Sequence, residues 1–260
     1  MRVKLLLIVA LYSACGLCGT SNFQVTSVSN AAFIITEKDY GTNIGLIKTR
    51  EGVVVIDPMP GKKNLDKLYQ VIQQRSKAPV RYVLNTHQHG DHTGGNAYFV
   101  EQGSKVVATV SDLPEFTEFE LKSHTSKDKV FYHSKSNSVF VGDIYDTSWH
   151  PTFYAGGLSG FNQAIEKILN IGNEDSLIIP GHGKPTSKVE LRQFRNHTIT
   201  WVEEIKALKE KGMSVEEIMN NDRVKALLRN FNIANKQDFI PKNAFKRFIE
   251  RTFTVIDSGN

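Results

Sequence analysis

The chain has 260 residues, 40% of them hydrophobic and 23% charged. That is ordinary globular composition, which excludes a fibrous or low-complexity protein, and the length suits one large domain, alone or with a small appendage. The net charge of +5 comes without a block of like charges or a basic-aromatic stripe, so nucleic acid is not expected as a partner.

Residues 1–20 read as an export signal. Met1-Arg2-Val3-Lys4 is a short basic start, Leu5 to Leu11 is an apolar run, and small residues follow. The run is too short to span a bilayer, so the chain is expected to be exported, periplasmic or secreted, with no membrane span. Cys15 follows Tyr12-Ser13-Ala14 and partly matches a lipoprotein box, where a lipid anchor would attach. Both cysteines, Cys15 and Cys18, lie in this segment. The remaining chain therefore has no disulfide, no thiol nucleophile and no thiolate metal ligand.

Strands follow at residues 33–37, 43–48 and 53–57, each short, apolar or β-branched, and separated by turn residues. Residues 64–75 predict a helix with Leu65, Leu68, Val71 and Ile72 on one face. Residues 81–85 predict a strand running into the stretch NTHQHGDHTGG. Further strands are predicted at 105–109, 128–133 and 138–143, then an amphipathic helix at 161–171 and a strand leading into Pro180-Gly181-His182-Gly183. The remainder is helical. Leu191, Phe194, Trp201, Ile205 and Leu208 repeat at helical spacing, Ser214 and Glu217 form a capping-box pattern, and Pro241 opens a last helix carrying Phe245, Phe248 and Ile249. Strands and helices alternating in two similar halves predict an α/β architecture, a four-layer αββα sandwich of two sheets with helices outside. Its expected organisation is a signal at 1–20, a core domain at 21–186 and a C-terminal helical extension at 187–260 packed on it.

Three of the eight histidines fall within six residues: His87, His89 and His92, with Asp91 among them. Extended residues alternate sides, so His87 and His89 face one way. Gly90 is expected to turn the chain so that Asp91 and His92 face the same cavity. Four donors in one loop exceed what one tetrahedral zinc takes from a single segment, which predicts two metals.

His87-Gln88-His89-Gly90-Asp91-His92 resembles the HxHxDH signature of metallo-β-lactamase-fold hydrolases. The resemblance runs from about Asn30 to Lys188 and takes in Asp57 at the end of VVVID, the segment from His124 to Gly142-Asp143, and PGHG with His182. It implies one metal on His87, His89 and His124, a second on Asp91, His92 and His182, and Asp143 bridging both. His133 is the alternative to His124. Asp57 would orient a ligand or the motif loop without touching metal. Tyr145 and His150 follow the Gly-Asp motif and are candidates for substrate contact. Two departures stand out. Only 31 residues separate His92 from His124, which suggests an unusually open site. Lys127 also stands where the family usually has a small residue.

The resemblance implies a binuclear zinc hydrolase acting on a small molecule. A metal-bridging hydroxide would attack an amide, ester or thioester carbonyl, with Asp91 orienting the nucleophile and handling its proton. True zinc β-lactamases generally lack the bridging aspartate, and some use a cysteine ligand. Asp143 without cysteine looks more like the general hydrolase branch, which includes glyoxalase II and lactonases. The alternative is an iron oxidoreductase of the same fold, such as a sulfur dioxygenase, because histidine and carboxylate suit iron as well as two Zn2+. The sequence sets no oligomeric state.

Overall fold

The computed structural model describes residues 23–38 and 40–259. The expected export signal and Cys15 lie outside the described residues. Among the described residues, no helix is long and apolar enough to cross a membrane.

The first half builds a six-stranded sheet. β1 (Phe23–Ser27), β2 (Ala32–Glu37), β3 (Asn43–Lys48) and β4 (Val53–Ile56) form an antiparallel meander. β5 (Val80–Leu84) and β6 (Lys105–Val106) then add in parallel through crossovers. The crossover into β5 is α1 (Leu65–Arg75). The crossover into β6 contains α2 (Gly90–Thr93) and α3 (Asn96–Glu101). The second half builds a four-stranded sheet in the order β10, β9, β8, β7 from β7 (Phe116–Leu121), β8 (Asp128–His133), β9 (Ser138–Gly142) and β10 (Leu177–Pro180). α4 (Gly157–Leu169) crosses from β9 to its parallel neighbour β10. α5 (Lys188–Glu210), α6 (Val215–Asn220), α7 (Asp222–Arg229) and α8 (Lys242–Asp257) complete the chain.

Strand alternation divides the apolar side chains among three cores. Ile34, Ile47, Val54, Ile56 and Leu84 of the first sheet meet Phe131, Phe140 and Ile179 of the second, which fills the space between the sheets. Ile35, Ile44, Leu46, Val55 and Val83 point the other way and are covered by Leu65, Leu68, Ile72 and Phe99. Val130, Val139, Val141 and Ile178 leave the opposite face of the second sheet. They are covered by Phe161, Ile165, Ile168, Leu191 and Phe194, and this core continues through Trp201 and Phe248. Helix, sheet, sheet and helix therefore stack as the expected αββα sandwich.

Three segments differ from expectation. β1 and β7 fall where no strand is predicted, and β6 keeps only two of the five residues expected at 105–109. Residues 105–106 pair only with Tyr82 and Val83 at the sheet edge and are both exposed.

The candidate metal centre lies where four strands end. β4 and β5 run parallel, as do β9 and β10, and the segments leaving their carboxyl ends carry Asp57, the histidine motif, Asp143 and His182. Crevices at the carboxyl ends of parallel strands are the usual ligand position in open α/β sheets. Asn43 binds the two ends together. Its amide donates to the carbonyls of Pro180 at 3.0 Å and Gly183 at 2.8 Å, and its backbone N–H donates to Gly181.

Candidate metal centre

The glycines at the ends of β9 and β10 have a steric reason. Gly142 has φ +52°, and a Cβ there would lie 2.4 Å from Thr86 Oγ1. A Cβ on Gly181 would lie 2.0 Å from Asp143 Oδ1. Glycine at both positions lets Asp143 sit between the motif loop and the His182 turn. The β9–β10 register shift, which pairs Pro180 with Gly142, sets the two segments side by side.

Asp143 faces donors on both sides. Its Oδ2 lies 3.8 Å from His87 Nε2 and 3.6 Å from His124 Nε2. His89 Nδ1 completes that group, 3.1 Å from His87 Nε2 and 3.0 Å from His124 Nε2. Asp143 Oδ1 lies 3.3 Å from His92 Nε2 and 3.7 Å from His182 Nε2. Asp91 Oδ2 completes the second group at 3.4 Å from His182 Nε2 and 3.9 Å from His92 Nε2. Within each group of four, the donor atoms all lie within 4.8 Å of one another.

The donors fit divalent ions. Ligand atoms around a tetrahedral ion with bonds of about 2.0–2.2 Å stand roughly 3.3–3.6 Å apart, close to the separations found here. Nitrogen lone pairs turned towards each other are satisfied by a cation between them. His92 Nε2 and Asp143 Oδ1 are moreover buried and have no hydrogen-bond partner, which is costly unless a ligand satisfies them. The far ring nitrogens are held so that the near ones stay free. Thr86 Oγ1 donates to Asp57 Oδ2 at 2.6 Å, so it can only accept from His87 Nδ1 at 3.2 Å. His92 Nδ1 lies 3.0 Å from the same Asp57 oxygen. His124 Nδ1 lies 2.7 Å from Thr152 Oγ1 and 3.1 Å from the Thr152 carbonyl. Partners of this kind fix the tautomer of ligating histidines.

Electrostatics divides the groups. Burial, helped by His92, pushes His87 down to about 3, and burial also lowers His124. Burial pushes His92 down too, but Asp57 and Asp143 outweigh it and hold the imidazole well above its ordinary value. His182 is likewise raised, burial being overcome by Asp91 and Asp143. The bond to His182 lowers Asp91 to about 2. Asp143 resists burial and stays far below the usual carboxylate range because His92, His182 and His87 surround it.

The structure brings together His87, His89, Asp91, His92, His124, Asp143 and His182, and sets Asp57 behind them. Other expectations need correction. The turn expected at Gly90 is a helical one that needs no special glycine conformation. Gly90 begins α2, a Cβ there would meet no atom within 4 Å, and helix winding carries Asp91 and His92 to the second group. His133 is fully buried elsewhere, 3.3 Å from Glu115. Tyr145 and His150, the candidates for substrate contact, are both buried. The chain after Asp143 turns into the core, where Tyr145 packs on Phe194 and His150 stacks on Phe248 at 4.1 Å. Lys127 is exposed.

Sequence reasoning missed Asp128 and Thr152. Asp128, buried at the start of β8, accepts from Ser123 N at 3.0 Å, Thr125 N at 3.0 Å and Thr125 Oγ1 at 2.6 Å. It clamps the short turn that presents His124. The signal in the sequence is an Asp three residues after a Thr, a spacing that lets the carboxylate accept from the turn preceding it.

Residues 38–184, more than half of the chain, match the family profile described as the metallo-beta-lactamase superfamily. Among curated relatives, a probable hydroxyacylglutathione hydrolase of Schizosaccharomyces pombe is 30% identical over 128 residues, covering 42% of this chain and 50% of that one. This chain thus spans half the length of that relative. A type 2 metallo-beta-lactamase of Bacillus sp. strain 170 is 23% identical over 212 residues, 65% of this chain and 79% of that one. Among solved structures, a metallo-beta-lactamase from Pontibacter korlensis aligns with a TM-score of 0.57 at 21% identity, covering 67% of this chain and 97% of that one. The FIM-1 metallo-beta-lactamase from Pseudomonas aeruginosa, in a mono-zinc form, aligns at 0.59 with 16% identity over 67% of this chain and 93% of that one.

Proposed function

The chain belongs to the metallo-beta-lactamase superfamily, and on that premise we propose that it is an exported binuclear zinc hydrolase cleaving an ester, thioester or amide carbonyl of a small molecule. The observation that carries the reading is Asp143, whose two oxygens face two separate groups of nitrogen and carboxylate donors. Two divalent cations held there would supply a nucleophile from water at neutral pH and polarise a carbonyl oxygen. His87, His89 and His124 would hold one, Asp91, His92 and His182 the other, and Asp143 both.

The protein's own groups do the rest. Asp91 keeps a 40% exposed carboxylate at the mouth, ionised above pH of about 2, so it orients an attacking water by accepting its proton in a hydrogen bond. Asp57 and Thr152 keep the ring nitrogens of His92 and His124 turned towards the centre.

A carboxylate between the groups, and no cysteine in either, favours ester, thioester or lactone substrates over β-lactams. The test is metal content together with a hydrolysis panel of a chromogenic cephalosporin, a lactone and a glutathione thioester. Two zinc ions per chain and turnover of the lactone or thioester are expected. Fewer than one metal per chain, or a coloured iron protein, overturns the reading. Loss of residues 1–20 from the exported protein, read by mass spectrometry, tests export.

A further inference from the structure

Three side chains that the metal centre does not use line up at the far end of the β8–β9 hairpin. β8 runs six residues from Asp128, beside the turn that presents His124, to His133. At roughly 3.3 Å per residue, that sets about 17 Å between the two ends. Ser136 Oγ lies 2.7 Å from His133 Nδ1, and His133 Nε2 lies 3.3 Å from Glu115 Oε2. The Lys135 ammonium holds the other Glu115 oxygen. Hydroxyl, imidazole and carboxylate in that order form the constellation of a base-activated nucleophile.

The hydrogen bonds select one tautomer. An ionised carboxylate only accepts, so His133 Nε2 carries the ring proton and Nδ1 turns its lone pair to Ser136. Ser138 Oγ donates to the Ser136 carbonyl at 3.2 Å and offers the Ser136 hydroxyl an acceptor at 3.1 Å, longer than the 2.7 Å to the more basic imidazole. The Lys135 contact lowers Glu115 and keeps it ionised. Burial lowers His133 against the pull of Glu115, so the ring is neutral and able to accept a proton at neutral pH. His133 is fully buried against Phe116, whereas Ser136 is half-buried on a turn whose Ser134 and Lys135 are exposed. The base is shielded from water while the serine stands at the surface.

We propose that Ser136 is a second nucleophile of this protein, independent of metal, which takes the acyl group of carboxylic esters with His133 as its base and Glu115 orienting that base. Ser136 Oγ bonds to the carbonyl carbon while its proton passes to His133 Nδ1. The ester C–O bond then breaks, the departing alkoxide takes that proton, and the acyl group stays on Ser136. None of the candidate metal ligands takes part, so the proposal does not depend on the hydrolase reading.

The test uses the full chain, zinc-loaded and chelated in parallel, and a biotinylated alkyl fluorophosphonate. Attack by an activated serine on its phosphorus breaks the P–F bond and leaves a stable adduct, which peptide mass spectrometry locates. Labelling of Ser136 at the same rate with and without zinc is expected, as is an acetyl group on Ser136 after p-nitrophenyl acetate. Ser136→Ala should abolish both. Glu115→Gln should slow labelling about 100-fold, and Glu115→Asp should keep part of the rate. A thermal melt establishes that the variants are folded. No label on the folded wild type, label that requires zinc, label undiminished in Ser136→Ala, or an unchanged rate in Glu115→Gln overturns the proposal. An acetyl group on Lys135 in place of Ser136 overturns it too. A hydrolysis panel without turnover would sink the hydrolase reading and leave this labelling untouched, so the two fail separately.

Discussion

Asp57 Oδ2 meets His92 Nδ1 at 3.0 Å and Thr86 Oγ1 at 2.6 Å, so one carboxylate governs a histidine in each donor group, His92 directly and His87 through Thr86. Asp57 has φ +53°, a conformation that asparagine tolerates, so Asp57→Asn removes the charge with little backbone strain. Zinc affinity should fall about 10- to 100-fold, more at the second site, where the contact is direct. A competition titration against a chromophoric chelator measures this. Affinity equal to wild type at both sites would deny Asp57 its orienting role.

The two sites should also differ in their response to pH. His92 and His182 have raised pKa values, so in the metal-free chain each keeps its proton to higher pH than a free imidazole does, and an incoming ion must displace it. Affinity at the second site should fall about tenfold per pH unit for each displaced proton as pH drops below those raised values. His87, at about 3, and His124, also lowered, are already neutral and impose no such competition near neutrality. Acidification from pH 8 to 6 should empty the second site first. For the metal-free fold the sign reverses. The raised values stabilise it fully below pH 6.5, and that contribution is lost as pH climbs through them. Zinc stoichiometry across a pH series, with melts of the chelated protein, checks both halves. Simultaneous release of both ions would contradict the asymmetry.

Local pattern made most of the sheet framework legible. β3 and β8 have the bounds that periodicity predicts, because each is closed by turn residues and packs apolar side chains. The metal motif was legible because its donors are adjacent in sequence. Tyr145 and His150 show the limit. They are near Asp143 in sequence, but the chain after Gly142 enters the core, and nothing local marks the direction. β7 was missed because its faces are mixed, with Phe116 buried and Thr117 and Glu120 exposed. The cavity that His89 and His124 share with Arg251 and Val255 of α8 was beyond sequence reading, since α8 arrives there by helix packing.

The short approach to His124 makes Asp128 decisive for the first site. Asp128→Ala would leave the Thr125 N–H and hydroxyl without their acceptor and Ser123 N–H with only the Thr125 carbonyl, in a buried turn. The cost should be about 2–4 kcal/mol, seen as a melting temperature lower by roughly 5–10 °C. Binding at the His87, His89 and His124 group should weaken while the other group keeps its ion. A variant that melts early but keeps first-site affinity would show that His124 does not depend on this clamp.

The C-terminal helices form half of the core on the outer face of the second sheet. Phe248 of α8 lies between Trp201 of α5, stacked at 4.2 Å and 4°, and His150 at 4.1 Å, while Trp201 Nε1 donates to Thr252 Oγ1 at 3.0 Å. The same core contains Val130, Val139 and Ile178 of the sheet, so removing residues 187–260 would expose strands that also border the donor groups. Phe248→Ala should cost about 3–5 kcal/mol. Because the core is shared, tryptophan fluorescence and far-ultraviolet circular dichroism should report one coincident unfolding transition in both wild type and variant. Two separated transitions would mean that the helices fold apart from the sandwich.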